Sequence, residues 1–287
     1  VWVEGRYFAN DNPKPDDNKD DKKADEKKKP ELPQPRIAKT PGDYRGALKE
    51  PKSILIKNVT LWTCGPKGVI KNGSILFIDG KIMVVNEKPG VIYLAGTLII
   101  DAKGRHVTPG LIDCHSHSMI LGGVNEGTLP SSAMVRIGDV VNSETEHIYR
   151  QLAGGLTTAN LLHGSANPIG GQNQVIKLRH GAGPDELKFA KAPAGIKFAL
   201  GENVKQSNWG GDKKLRFPQT RMGVRTFFVN RFTAARHYLA DQKRNRATGP
   251  PVRRNLELEA LGEIIEAKRW IHCHSYRQDE MLIFMRT

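Results

Sequence analysis

Residues 107–118 read VTPGLIDCHSHS. A short apolar run follows a Pro-Gly pair, passes through Asp113 and closes on His115 and His117. In a β-strand, residues i and i+2 point to the same side, so the two imidazoles converge at the strand's end. Convergent imidazoles either hold a metal or are chance neighbours, and the rest of the chain has to decide between these.

Working outward, the same kind of strand recurs. Short apolar runs at GLTTANLL, NQVIKLR, AGIKFAL and RWIHCH follow VTPGLIDC and alternate with longer segments. Two of those segments have helical spacing: Val224, Phe228, Phe232, Ala235 and Leu239 in one, and Leu256, Leu258, Leu261, Ile264 and Ile265 in the other. Strands alternating with helices mean βα units around a parallel sheet. No GxGxxG follows the first strand, and site residues at strand C-termini point to an α/β fold of the (β/α)8 TIM-barrel type, of which about five strands are countable. A closed barrel takes about 250 residues, and 106–287 is expected to be only its N-terminal part. Before it, SILIKNVTLWT, GSILFIDGKIMVV and GTLIIDAKG are alternating, β-branched runs, expected to form a small antiparallel sheet or sandwich over 51–105. Residues 9–50 have the composition of a disordered charged and Pro-rich linker. Residues 1–8, VWVEGRYF, have strand character with nothing nearby to pair with.

The formal charge of +14 is unevenly placed. Residues 9–36 hold eight basic and eight acidic side chains, whereas 213–254 hold twelve basic side chains against Asp241 alone. No nucleic-acid motif accompanies that basic segment, and Phe227, Phe228, Phe232 and Tyr238 fit the apolar face of one helix. It reads as a solvated basic helix or a funnel for an anionic substrate, with no nucleic-acid partner. No run approaches the roughly 18 apolar residues of a membrane span. Cys64, Cys114 and Cys273 are too few for a disulfide framework and read as small buried residues. The first residue is Val1, so localisation (periplasmic, secreted or cytoplasmic) is left open, as is the oligomeric state.

The fifth run, WIHCHS, again ends on two histidines, His272 and His274. Two such pairs, each closing an apolar strand of one alternating domain, point to a metal. Imidazoles suit Zn, Fe, Ni or Mn, with Zn the commonest for hydrolysis. VTPGLIDCHSH resembles the signature of the metal-dependent amidohydrolase superfamily, in its imidazolonepropionase-like and prolidase-like branch. GGLTTANLLHGSANPIGGQ resembles that branch's second-strand segment, and NLELEALGEIIEAKRWIHCHSYRQDE its fifth. The strands over 53–104 resemble its composite β-sandwich, so the resemblance covers about residues 51–287.

What the resemblance implies is a hydrolase acting on C–N bonds of an amide, cyclic amide or dipeptide-like small molecule, with one or two divalent metal ions. His115 and His117 would hold the more buried ion, His272 would be the fifth-strand ligand, and His274 would face substrate or a second ion. Lys197, in GIKFALGEN, would be a carboxylated bridging lysine, with Glu202 the alternative bridge and ordinary snorkelling the bland reading of Lys197. Lys177 lies one strand early. Arg277 and His163 are candidate substrate contacts, weighed against a solvated Arg277–Asp279 pair and against loop capping by His163 and Asn167. Bound Zn²⁺ brings the pKa of water from near 16 to about 7, supplying hydroxide to attack the carbonyl. The family's proton-carrying Asp lies on the eighth strand and a further His ligand on the sixth. Neither segment is in this sequence, and Asp113 sits too deep in its strand to substitute. The catalytic residue therefore stays unassigned, and the chain by itself is expected to be inactive and aggregation-prone. A non-catalytic barrel used for binding, metal-stabilised or metal-free, is the alternative. Val1, Val3, Gly5 and Arg6 resemble the strand that ends such proteins, which raises a tandem amidohydrolase unit in the same parent chain as a further expectation.

Overall fold

The structure is a computed structural model and describes residues 2–3, 6–7, 51–87, 91–205 and 216–287. The expected linker over 9–50 lies outside the described residues. The chain divides into two units, 1–52 and 53–287.

In the first unit the run read as one strand is two. β1 (Trp2–Val3) pairs antiparallel with β2 (Arg6–Tyr7), placing Trp2 opposite Tyr7 and Val3 opposite Arg6. In the sequence Glu4 and Gly5, two residues of low strand propensity, stand between the two pairs.

The second unit opens with a five-stranded sheet. β3 (Ser53–Trp62), β4 (Val69–Ile78) and β5 (Lys81–Asn86) form an antiparallel meander. Asp79 and Gly80 join β4 to β5 with φ of 48° and 71°. Two consecutive positive φ values make the tight turn whose twist matches a hairpin, and Asp-Gly is the pair that tolerates it. The sheet is mixed rather than antiparallel throughout, because β6 (Leu98–Asp101) and β7 (His106–Val107) both run parallel to β3. A parallel neighbour cannot be reached through a tight hairpin and needs a crossover connection. Val59, Leu61, Ile70, Ile75 and Ala102 form this sheet's apolar core.

The chemistry lies on the two sheets that follow. β8 (Leu111–Ser116) pairs parallel with β9 (Leu156–Leu161), connected by α1 (Glu146–Ala153). Thr145 caps α1 by accepting from the His147 N–H, and Ile148 buries its apolar side. In the other sheet, β12 (Gly195–Ala199) pairs parallel with β13 (Trp270–His274). The chain between them forms α3 (Arg221–Thr248) and α4 (Leu256–Ile265). In α4 the Asn255 side chain accepts from the Leu258 N–H at 3.1 Å, and Glu257 and Glu259 lie in the first turn, where the helix dipole favours acids. Short α2 (Pro184–Leu187) precedes β12, and α5 (Gln278–Met285) follows β13.

Two expectations change here. NQVIKLR, counted as a third parallel strand, contains β11 (Gln174–Lys177), which runs antiparallel to β9. A strand that was not expected, β10 (Ile169–Gln172), runs antiparallel to β12. The fold is α/β with mixed sheets, ordered β11-β9-β8 and β10-β12-β13, and none closes among the described residues. Strand direction depends on where the chain comes from, and local composition carries no record of it.

β12 sets the layers. Ile196 and Phe198 face the helices and join Val224, Phe228, Ala235 and Leu261 in one core. The Phe198 ring stacks on Phe228 with centroids 5.6 Å apart. By alternation, Lys197 faces the other way. Part of the basic charge on α3 is met by acids: Arg231 forks onto Glu257, and Arg221 joins Glu202 and Glu280. The three cysteines are free and exposed, not buried. β8 and β13 are edge strands, and Leu111, Ile112 and Trp270 are exposed on them with Cys114 and Cys273. Among the described residues no helix is long and apolar enough to cross a membrane.

Candidate metal centre

Close strand packing delivers the first histidine pair. A Cβ on Gly110 would lie 2.1 Å from Thr157 Oγ1, so a side chain there would push β8 off β9. Asp113 serves the backbone, its Oδ1 accepting from the His115 N–H at 3.0 Å. His117 Nδ1 lies 2.9 Å from the Leu162 carbonyl. A carbonyl only accepts, so Nδ1 carries the proton and Nε2 keeps its lone pair, as a ligating histidine requires. His115 Nε2 is 3.1 Å from that His117 Nε2.

The third group comes from β12. Lys197 is 1% exposed, and its Nζ lies 3.0 Å from His115 Nε2. Burial pushes the Lys197 amine below its ordinary range. His115 is also held low, by desolvation first and then by Lys197 and His117. On β13, His272 is in register with Lys197 and His274 with Ala199. Both imidazoles are pushed down by burial and then by Lys197, which keeps them neutral, the form that binds metal. His272 packs against Gly195, where a Cβ would stand 2.6 Å from its Nε2. His274 Nε2 is buried without a hydrogen-bond partner, and the ring meets Tyr276 edge-on at 4.5 Å.

The structure thus brings His115, His117 and Lys197 together, with His272 beside Lys197 in the ladder. Among the described residues no three His, Cys, Asp or Glu side chains converge on one point, since the third member here is a lysine amine. The donor set fits a divalent ion: neutral imidazoles, one orphaned buried ring nitrogen, and an amine that burial favours in its uncharged form.

The remaining candidates are engaged elsewhere. Glu202 pairs with Arg221 and with Lys205, the latter at 2.8 Å. His163 is buried, its Nε2 accepting from the Glu126 N–H at 2.8 Å and its Nδ1 lying 2.9 Å from the Gly164 carbonyl. Its ring also packs on Gly170 and Gly171, where added side chains would strike it. Asn167 is fully buried and donates to the Glu126 and Leu129 carbonyls, each at 2.7 Å, so it holds the loop after β8. Arg277 forks onto Asp279 at 2.9 and 3.1 Å on the exposed start of α5. Sequence reasoning passed over Asn160, a buried amide inside the apolar run of β9. Its signal was the polar residue in a strand otherwise fit for a core.

No family model matches the chain. Over 271 residues, 80% of this chain, it is 30% identical to the amidohydrolase tasK of Hapsidospora irregularis, of which it covers 27%. It is 38% identical over 77 residues to the imidazolonepropionase of Acidiphilium cryptum (strain JF-5), a match covering 25% of this chain and 19% of that protein. The crystal structure of an amidohydrolase from Thermotoga maritima MSB8 superimposes with a TM-score of 0.72 at 30% identity, covering 81% of this chain and 61% of that one. The chain therefore spans about a quarter of the first relative and about three-fifths of the Thermotoga protein. Strand-end histidines, a buried lysine among them, and these relatives agree: the chain belongs to the amidohydrolase superfamily, in the branch that includes imidazolonepropionase.

Proposed function

We propose that this chain carries the metal-binding half of a hydrolase that cleaves C–N bonds in an amide, cyclic amide or peptide-like small molecule. The observation that carries the reading is the meeting of Lys197 Nζ, His115 Nε2 and His117 Nε2, the amine buried and within 3.0 Å of the first imidazole. Two imidazole nitrogens gathered beside a buried amine repel it and each other when all are protonated, and the three are arranged for a positive ion to replace the protons. The likeness to the Thermotoga amidohydrolase supports β8, β9, β12 and β13 as strands of an incomplete (β/α)8 barrel, with 51–105 as the sheet domain preceding it.

In this reading His115, His117 and His272 hold one or two divalent ions, Zn²⁺ first among Zn, Fe, Ni and Mn. Such an ion would supply a hydroxide nucleophile at neutral pH and polarise the scissile carbonyl. Leu162 fixes the His117 tautomer, and Asp113 fixes the backbone at His115. In its uncharged form the Lys197 amine can add CO₂, forming an N–C bond and releasing a proton, and the resulting carbamate would offer two oxygens in place of one nitrogen donor. His274, with its free buried nitrogen, faces the substrate or takes a second ion. His163 and Asn167 keep the loop after β8 in place, and Glu202 stays with Arg221 and Lys205.

The test is metal content. Protein loaded with Zn²⁺, dialysed and analysed by emission spectrometry should retain one to two ions per chain. It should lose them to a chelator, with a drop in melting temperature. Retention of no zinc after loading would remove the reading.

A further inference from the structure

The two halves of this centre belong to different ladders: His115 to the β11-β9-β8 sheet with His117 just past the end of β8, Lys197 and His272 to the β10-β12-β13 sheet. Something must fix their separation to within a fraction of an ångström, or the 3.0 Å approach of Lys197 to His115 is lost. β10 and β11 are consecutive in the chain with Asn173 alone between them. β10 pairs with β12 and β11 with β9, so the chain passes from one sheet to the other at this residue.

The Asn173 side chain spans the same gap. Its Oδ1 accepts from the Gly195 N–H at 2.6 Å, and its Nδ2 donates to Asn160 Oδ1 at 2.6 Å. Its own backbone N–H donates to the Gly195 carbonyl at 3.1 Å. Asn160, 8% exposed, continues the line by donating from Nδ2 to the Cys114 carbonyl at 3.3 Å. The result is one hydrogen-bonded path from Gly195, which backs His272 and lies two residues before Lys197, to Cys114, which adjoins His115. Only a short amide fits the middle of it, because one end must accept and the other must donate.

We propose that Asn173 is a positioning residue that staples the two sheets and thereby sets the spacing of the two half-sites; its effect on metal rests on the metal-centre reading above. Cys114 and Cys273, both exposed and one on each sheet, allow the spacing to be read directly. In a Cys64→Ser background the two are spin-labelled, and their distance distribution is measured by pulsed electron paramagnetic resonance. Co²⁺ affinity of the unlabelled protein is measured by equilibrium dialysis. Asn173→Ala should broaden the distribution and weaken Co²⁺ binding about tenfold or more, in the range usual for residues that orient ligands. Asn173→Asp, which keeps the acceptor and loses the donor, should fall between. Asn160→Ala should reproduce the broadening with the Gly195 contacts intact, and it carries the test if Asn173→Ala fails to fold. An unchanged distribution with Co²⁺ affinity within about twofold of the unsubstituted protein would overturn the proposal. Failure of the unsubstituted protein to bind Co²⁺ would instead strike the metal-centre reading, while the distance measurement still decides the role of Asn173.

Discussion

Replacing His115 and His117 together with alanine should remove the more buried ion altogether, leaving a Zn²⁺ content at least one equivalent below that of the unsubstituted protein. The geometry makes this the largest effect available. The two Nε2 atoms are 3.1 Å apart, and the His117 ring is held by the Leu162 carbonyl. Loss of the ion has a stability readout as well. A ligand present at about a thousandfold above its dissociation constant stabilises the folded state by about 4 kcal/mol. The melting temperature of the unsubstituted protein should therefore rise with added Zn²⁺, and that of the double variant should not. Both histidines are exposed, so their removal leaves the apolar core intact and the two proteins should melt alike without metal. Zinc content unaffected by the double substitution would remove β8 from the centre.

The second large effect is expected at Lys197. If the amine is carboxylated and bridges two ions, Lys197→Ala should bind one equivalent less of metal, and small carboxylates such as acetate or propionate should restore part of it. Withholding CO₂ and bicarbonate during loading should mimic the substitution. Glu202→Ala is the control, since its carboxylate is already committed to Arg221 and Lys205. That variant should keep its metal and lose no more than about 1 kcal/mol, as for a partly exposed ion pair. The reverse result, with metal lost in Glu202→Ala and kept in Lys197→Ala, would transfer the bridge to Glu202.

The elements legible in the sequence were those whose side chains repeat with the period of their own backbone. β9, β12 and β13 fall within the apolar runs that announced them and β8 overlaps its run, while α4 covers its segment of helical spacing and α3 extends beyond its own at both ends. The histidine pairs were legible for the same reason, since i, i+2 on a strand is a geometric statement. β10 was not, because Gly170 and Gly171 erase the alternation; they are glycines so that the strand can pass against His163 and Val135. The direction of β11 was not legible either, since a strand's partners lie elsewhere in the chain. The duties of His163 and Glu202 depend on Glu126, 37 residues from the first, and on Arg221, 19 residues from the second. Spacing within a motif cannot report partners at that range.

The burial of Lys197 also makes folding a proton-releasing event. In the unfolded chain its amine titrates near 10.5, and in the folded chain burial holds it lower. Between those two values the unfolded state binds the extra proton, so the metal-free protein should gain stability as pH rises through that interval toward 10.5 and lose it as pH falls back through it. This slope runs against the usual decline of protein stability on the alkaline side, and urea melts across that range would show it. Once the nitrogen is carboxylated it no longer takes up that proton, and the slope should flatten. The pH dependence of stability thus reports the chemical state of one side chain without any substrate.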